Sequence, residues 1–216
     1  METLTFAAPA TLPAGKIVAT NVSLEEYMAQ YALTFHEWVS GVVIQMSPAS
    51  RVHDALTNYL RQWLNIYFEL NPIGQALNAP FVMSVEAIGS GREADVQVIL
   101  DSNPGQLTDT KMIGPADICI EVVSPESAAR DYGDKFLEYE KAGVREYWII
   151  DPLRQRCDFN RLDESGVYVV VSLDETASYR TPLLPDLALH VPTLWLDELP
   201  GILTTAQAIQ KMLDGA

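Results

Sequence analysis

The chain has 216 residues, 48% of them hydrophobic, which suits one domain with a substantial core. Fourteen Lys and Arg against 29 Asp and Glu give a net charge of −15, so the chain lacks the bulk basicity of a protein that grips duplex DNA along its length. No apolar run approaches the roughly 20 residues of a membrane span, and two cysteines, Cys119 and Cys157, without a Cys-x-x-Cys or Cys/His cluster argue against a zinc site and for reduced thiols in the cytoplasm.

In chain order, METLTFAAPATLPAGK has neither the basic start nor the long apolar centre of a signal peptide, and residues 1–20 read as a flexible arm. The domain is expected over 21–200, with a C-terminal helix over 201–216. Ser23 before LEEYMAQ is a helix start with a cap. Two short apolar runs flank Ser40-Gly41 and predict a β-hairpin. Residues 51–69 carry the clearest helical period, stopped by Asn71-Pro72. Segments 76–86 and 93–100 read as strands around the turn GSGR, and 101–116 as a polar loop. Apolar strands at 117–123 and 145–150 enclose a helix that opens near Asp131 and ends at Gly143, a crossover within one sheet. Strands at 155–161 and 166–173 form a hairpin around Asp163-Glu164-Ser165-Gly166, and short helices follow near 193–198 and 203–213. There is no internal repeat or heptad.

Strand alternation puts Asp117, Cys119, Glu121 and Val123 on one face and Ile118, Ile120 and Val122 on the other. A carboxylate on so apolar a strand needs a partner or a metal, unless the strand is an edge and Glu121 faces water. Asp95 shares a face with Glu93 and Gln97. It gains importance only if its strand neighbours that of Glu121, because two close carboxylates repel and a hard cation relieves them. Lys135 lies early on the crossover helix, where a lysine is ordinarily solvated. Tyr139, one turn on, can pack along its stem. Glu138, Glu140 and Lys141 read as the solvated face of that helix. His36, His53 and His190 read as structural histidines.

The run Pro115-Ala116-Asp117, Glu121-Val122-Val123-Ser124-Pro125, Asp131, Lys135, Tyr139, Gly143-Val144 and Glu146-Tyr147-Trp148-Ile149-Ile150-Asp151-Pro152 resembles the Uma-two family of the PD-(D/E)XK, restriction-endonuclease-like superfamily. Upstream, Glu37 with Gly41, Met46-Ser47-Pro48, His53 and Asp95 agree with it, so the resemblance covers roughly residues 23–195. It implies an α/β fold with a restriction-endonuclease-like core: a central mixed β-sheet flanked by α-helices. It also implies that Asp95 and Glu121 hold the metal, that Lys135 is the catalytic lysine displaced from position 123 (Val123 here), and that Glu37 is a further acidic member. Two departures are Ala94 where the motif has proline, and Ser40 where an acidic residue often precedes the hairpin glycine; neither removes a ligand.

The activity so implied is Mg²⁺- or Mn²⁺-dependent hydrolysis of DNA phosphodiesters, with a backbone carbonyl near Val122 beside the metal; apolar sheet edges and the aromatic-rich helix suit a homodimer. Arg51, Arg61, Arg92, Lys111 and Arg130 are the cations offered to phosphate. The acidic charge keeps two other readings open: a non-catalytic or dimeric binding module on the same fold, and a metal-dependent hydrolase of another phosphate ester.

Overall fold

The computed structural model describes residues 16–34, 36–46, 48–85 and 89–215. The predicted arm therefore lies outside the described residues up to position 15, as do Phe35, Ser47 and Glu86. Among the described residues, two larger sheets and one two-stranded ribbon pack with five α-helices.

The central sheet is mixed and runs β13-β12-β11-β10-β7-β4. Its middle is built from β7 (Val96–Leu100), β10 (Ile118–Val122) and β11 (Glu146–Asp151), all three buried throughout. β7 and β10 pair antiparallel and β10 and β11 pair parallel. The parallel pair needs a crossover, supplied by α3 (Ala128–Asp131) and α4 (Asp134–Ala142). Gly143 ends α4 at φ 86°, in the left-handed region that glycine enters without penalty. β12 (Arg156–Leu162) and β13 (Tyr168–Val170) complete one side as the predicted hairpin, and β4 (Gly74–Asn78) the other.

One face of this sheet is covered by α2 (Arg51–Leu70) and α5 (Ile202–Asp214), with Leu60, Trp63, Leu64 and Ile209 packed on Val98, Ile120 and Trp148. Ser50 caps α2 by accepting the N–H of His53. On the other face, Cys119, Val123, Tyr147 and Ile149 meet Tyr139 of α4 and Met83, Val85 and Met112. The alternation read along 117–123 holds: its even positions lie in the first core and Cys119 and Val123 in the second.

Those methionines belong to a second sheet that the sequence did not announce, ordered β1-β3-β2-β6-β5-β9-β8. It contains the predicted hairpin, β2 (His36–Val39) and β3 (Val42–Gln45), turned at Ser40 and Gly41 with φ 46° and 85°. β1 (Lys16–Ala19) pairs with β3, so the predicted arm already has strand pairing at its C-terminal end. The single strand predicted over 76–86 is two strands in different sheets, β4 and β5 (Val82–Val85), joined across a cis Ala79-Pro80 bond. β6 (Ser90–Arg92) pairs with β2 and β5. The predicted polar loop contains β8 (Gln106–Leu107) and β9 (Lys111–Ile113), and the tail adds β14 (Ser178–Arg180) paired with β15 (Ala188–His190). α1 (Leu24–Gln30) buries Tyr27. No helix among the described residues is long and apolar enough to cross a membrane.

Candidate active site

The C-terminal end of β10 and the residues just before β7 meet in a cavity of about 850 Å³, walled on its other sides by β2, the N-terminus of α2 and the 124–135 segment. Asp95 lies in a bend immediately before β7, not on the strand as predicted. That position serves it better. The β7–β10 ladder ends at Ile120↔Val96, and the N–H of Val122 is completed by Asp95 Oδ2 at 2.8 Å. The same oxygen accepts from His53 Nε2 at 3.0 Å. One side chain thus closes the sheet and ties it to α2.

Glu121 is 3% exposed on a strand flanked on both sides, which removes the edge-strand reading. Its Oε1 accepts from Lys135 Nζ at 2.7 Å and from the Tyr139 hydroxyl at 2.9 Å. Tyr139 packs in the core and binds the carboxylate as well. Burial pushes the Glu121 carboxyl above its ordinary value. Lys135 pulls it down, and the charges of Asp95 and Asp131 push it up again.

Lys135 is buried, unlike an ordinary helix lysine, and its ammonium faces three carboxylates: Glu121, Asp131 Oδ1 at 3.7 Å and Glu37 Oε1 at 3.9 Å. Burial opposes its charge, but Glu121, Glu37 and Asp131 outweigh burial and hold it protonated. Asp131, one turn ahead, is equally buried, and Ser127 Oγ donates to its Oδ2.

Glu37 reaches the cavity from β2. Its Oε1 lies 2.9 Å from Arg92 and its Oε2 3.7 Å from Arg130. Burial works against this carboxylate, yet Arg92, Lys135 and Arg130 together hold it down to about 2. Arg92, offered by the sequence as a phosphate contact, is 1% exposed and gripped from the far side by both oxygens of Glu138, at 2.7 and 2.8 Å. Arg92 is therefore an internal brace, and Glu138, 24% exposed, is tied into it and does not stand free on the helix face. Arg61 is bonded to Asn78 and Asn58, and Lys111 sits on β9 away from the cavity wall. Arg130 lines the cavity, and Arg51 is exposed beside it at the start of α2.

Asp95, Glu121, Lys135 and Glu37 thus share one cavity. Sequence reasoning missed His53, Asp131 and Glu93, which line it too. His53 had a signal in its place one turn inside the N-terminus of α2. Glu93, in contact with the Tyr27 hydroxyl, is pushed up to about 7, chiefly by burial.

Neither Asp95 Oδ1 nor Glu121 Oε2 accepts a hydrogen bond from the described residues, so each carboxylate is held through one oxygen and keeps the other. Among the described residues no three His, Cys, Asp or Glu side chains are grouped to hold a metal. Mg²⁺ needs no such cage, since it is commonly bound through one or two carboxylates with waters and substrate oxygens completing its shell.

Among curated proteins, none matches this chain. Solved structures do. One, a crystal structure described as a "putative nuclease belonging to DUF820" from Anabaena variabilis, is 20% identical and superposes with a TM-score of 0.65 over 81% of this chain and 97% of that one. At that identity the likeness speaks for the fold. The sequence profile of the Uma2 family, described as "Putative restriction endonuclease", matches residues 24–192. A match over that much of the sequence, on a nuclease-like fold with these carboxylates and lysine in one cavity, makes the chain a member of the Uma2 family.

Proposed function

We propose that this chain is a metal-dependent endonuclease that hydrolyses DNA phosphodiesters, with Asp95 and Glu121 holding Mg²⁺ or Mn²⁺. The observation that carries the reading is the convergence of those two carboxylates in one cavity, with the Lys135 ammonium 2.7 Å from Glu121. When bound, the cation supplies charge neutralisation at the phosphate and a water acidic enough to attack near neutral pH.

The protein's own part follows from its contacts. His53 and the Val122 N–H fix Asp95, and Tyr139 fixes Glu121, so both carboxylates are oriented before any ligand arrives. Lys135 carries a fixed positive charge at the wall where negative charge builds on the phosphoryl oxygens. Arg92, Glu37 and Arg130 keep that wall rigid.

The test is Mn²⁺ calorimetry on the wild type, Asp95→Ala and Glu121→Ala, followed by nicking of supercoiled plasmid by the same samples. Binding and nicking present in the wild type and lost in both variants support the endonuclease. The net charge of −15 favours a second reading, a smaller phosphate ester as substrate. Site-dependent metal binding without nicking, joined to turnover of a chromogenic phosphodiester, would select it. No site-dependent binding would leave a binding module on a nuclease-like fold.

A further inference from the structure

We infer that Asp131 is the acceptor that takes over the Lys135 ammonium from Glu121 when a divalent cation binds, and that it thereby aims the lysine. The inference rests on the proposed metal at Asp95 and Glu121. Lys135 now spends its shortest contact, 2.7 Å, on Glu121 Oε1. A cation on the same carboxylate repels the ammonium and weakens that bond. The lysine is buried, so it must find another anion close by.

Two are within reach. Glu37 Oε1, at 3.9 Å, already holds Arg92 at 2.9 Å. Asp131 Oδ1, at 3.7 Å, is buried and, like Glu37 Oε1, accepts no hydrogen bond, but Glu37 Oε1 already has the Arg92 charge at 2.9 Å to compensate it. Ser127 Oγ donates to the other oxygen, Oδ2, and so fixes the carboxylate in place. A displacement of Nζ by about 1 Å turns the 3.7 Å contact into a hydrogen bond. Asp131 is thus a positioning residue.

The experiment uses the full chain with lysine labelled at Cε and Nζ. The sequence has five lysines, few enough for Lys135 to be assigned by Lys135→Gln. NMR spectra are followed through a Mg²⁺ titration, beside Mg²⁺ calorimetry and plasmid nicking. Saturation is expected to move the Lys135 signal in the wild type. In Asp131→Asn the Mg²⁺ affinity should change by less than about tenfold, the lower bound for losing an outer partner of a ligand. Nicking should fall by about 100-fold, as for a misplaced stabilising donor. In the Lys135→Gln background Asp131→Asn should remove nothing further.

A Lys135 signal unmoved at saturating Mg²⁺ overturns the handover while leaving the metal site intact, and it does so without any variant. A loss of Mg²⁺ affinity beyond about tenfold in Asp131→Asn overturns it by making Asp131 a ligand. Absence of Mg²⁺ binding that depends on Asp95 and Glu121 overturns the metal reading and the handover with it.

Discussion

Glu37 gathers three cations, Arg92, Arg130 and Lys135, at a buried position on the cavity wall. Removing one member of such a buried set leaves uncompensated charge, at a cost of about 3 kcal/mol. Glu37→Gln is expected to lose that much stability near neutral pH by denaturant unfolding. The folded carboxyl sits at about 2 against an ordinary 4.5, so its stabilisation is complete above 4.5 and vanishes as pH falls through 2. The gap between wild type and Glu37→Gln should therefore close over that window and stay open above it. His53 tests the opposite end of the cavity. Its bond to Asp95 orients a proposed ligand, so His53→Ala should weaken Mn²⁺ binding about 10- to 100-fold by calorimetry. Glu121 sets the pH dependence. Its carboxyl is raised, so a proton competes with the cation and Mn²⁺ affinity should strengthen as pH rises from 5 to 8. Glu121 stood out because strand alternation is a local property, whereas Asp95 and Lys135 read by themselves as a half-exposed strand residue and a solvated lysine and were joined to it only through the family resemblance. Arg92 and Glu138 were not legible: 46 positions apart, they look solvated until the fold joins them.

The crossover between β10 and β11 is the element on which the site depends. It is not the single helix that the sequence suggested. α3 stops after Asp131, and α4 begins at Asp134 behind Gly133. A β-carbon on Gly133 would lie 2.7 Å from the carbonyl oxygen of Ala129, so the two helices close onto each other only because that residue is glycine. Gly133→Ala should cost about 1–3 kcal/mol by thermal or denaturant unfolding, as overpacking does. Since the break separates Asp131 from Lys135, the same change should reduce nicking more than it reduces Mn²⁺ affinity. Gly143 offers a contrast. Nothing lies within 4 Å of its added β-carbon, so Gly143→Ala pays only the left-handed penalty of about 1–2 kcal/mol and should leave the site untouched. The Gly143 stop was readable from sequence. The break at Gly133 was not, because one glycine amid Asp, Lys and Phe does not distinguish an interrupted helix from a continuous one.

At the scale of the molecule, a net charge of −15 meets a cavity lined by Arg130 and Lys135, both buried in ion pairs, with Arg51 exposed at the start of α2. Phosphate contacts by Arg51 and Arg130 together correspond to a slope of log affinity against log salt no steeper than about −2 for duplex DNA. A measured slope near −6 or steeper would require a cationic surface that these contacts do not provide. Ca²⁺ in place of Mg²⁺ permits the binding to be read without cleavage.

Period and spacing along the chain determined α2, the β10–β11 crossover and the Ser40-Gly41 turn, since each depends on neighbours within a few turns or one strand, while the residues proposed to hold the metal were marked out by the family resemblance. The second sheet was decided only by tertiary structure. Its strands are two to four residues long, too short for alternation to register, and they exist because Met83, Val85 and Met112 cover the face of the central sheet that α2 leaves bare. The burial of Lys135 was decided the same way. A lysine among Asp131, Asp134 and Glu138 looks like surface in sequence, and only the approach of Glu121 from β10 and Glu37 from β2 makes an interior position favourable for its charge.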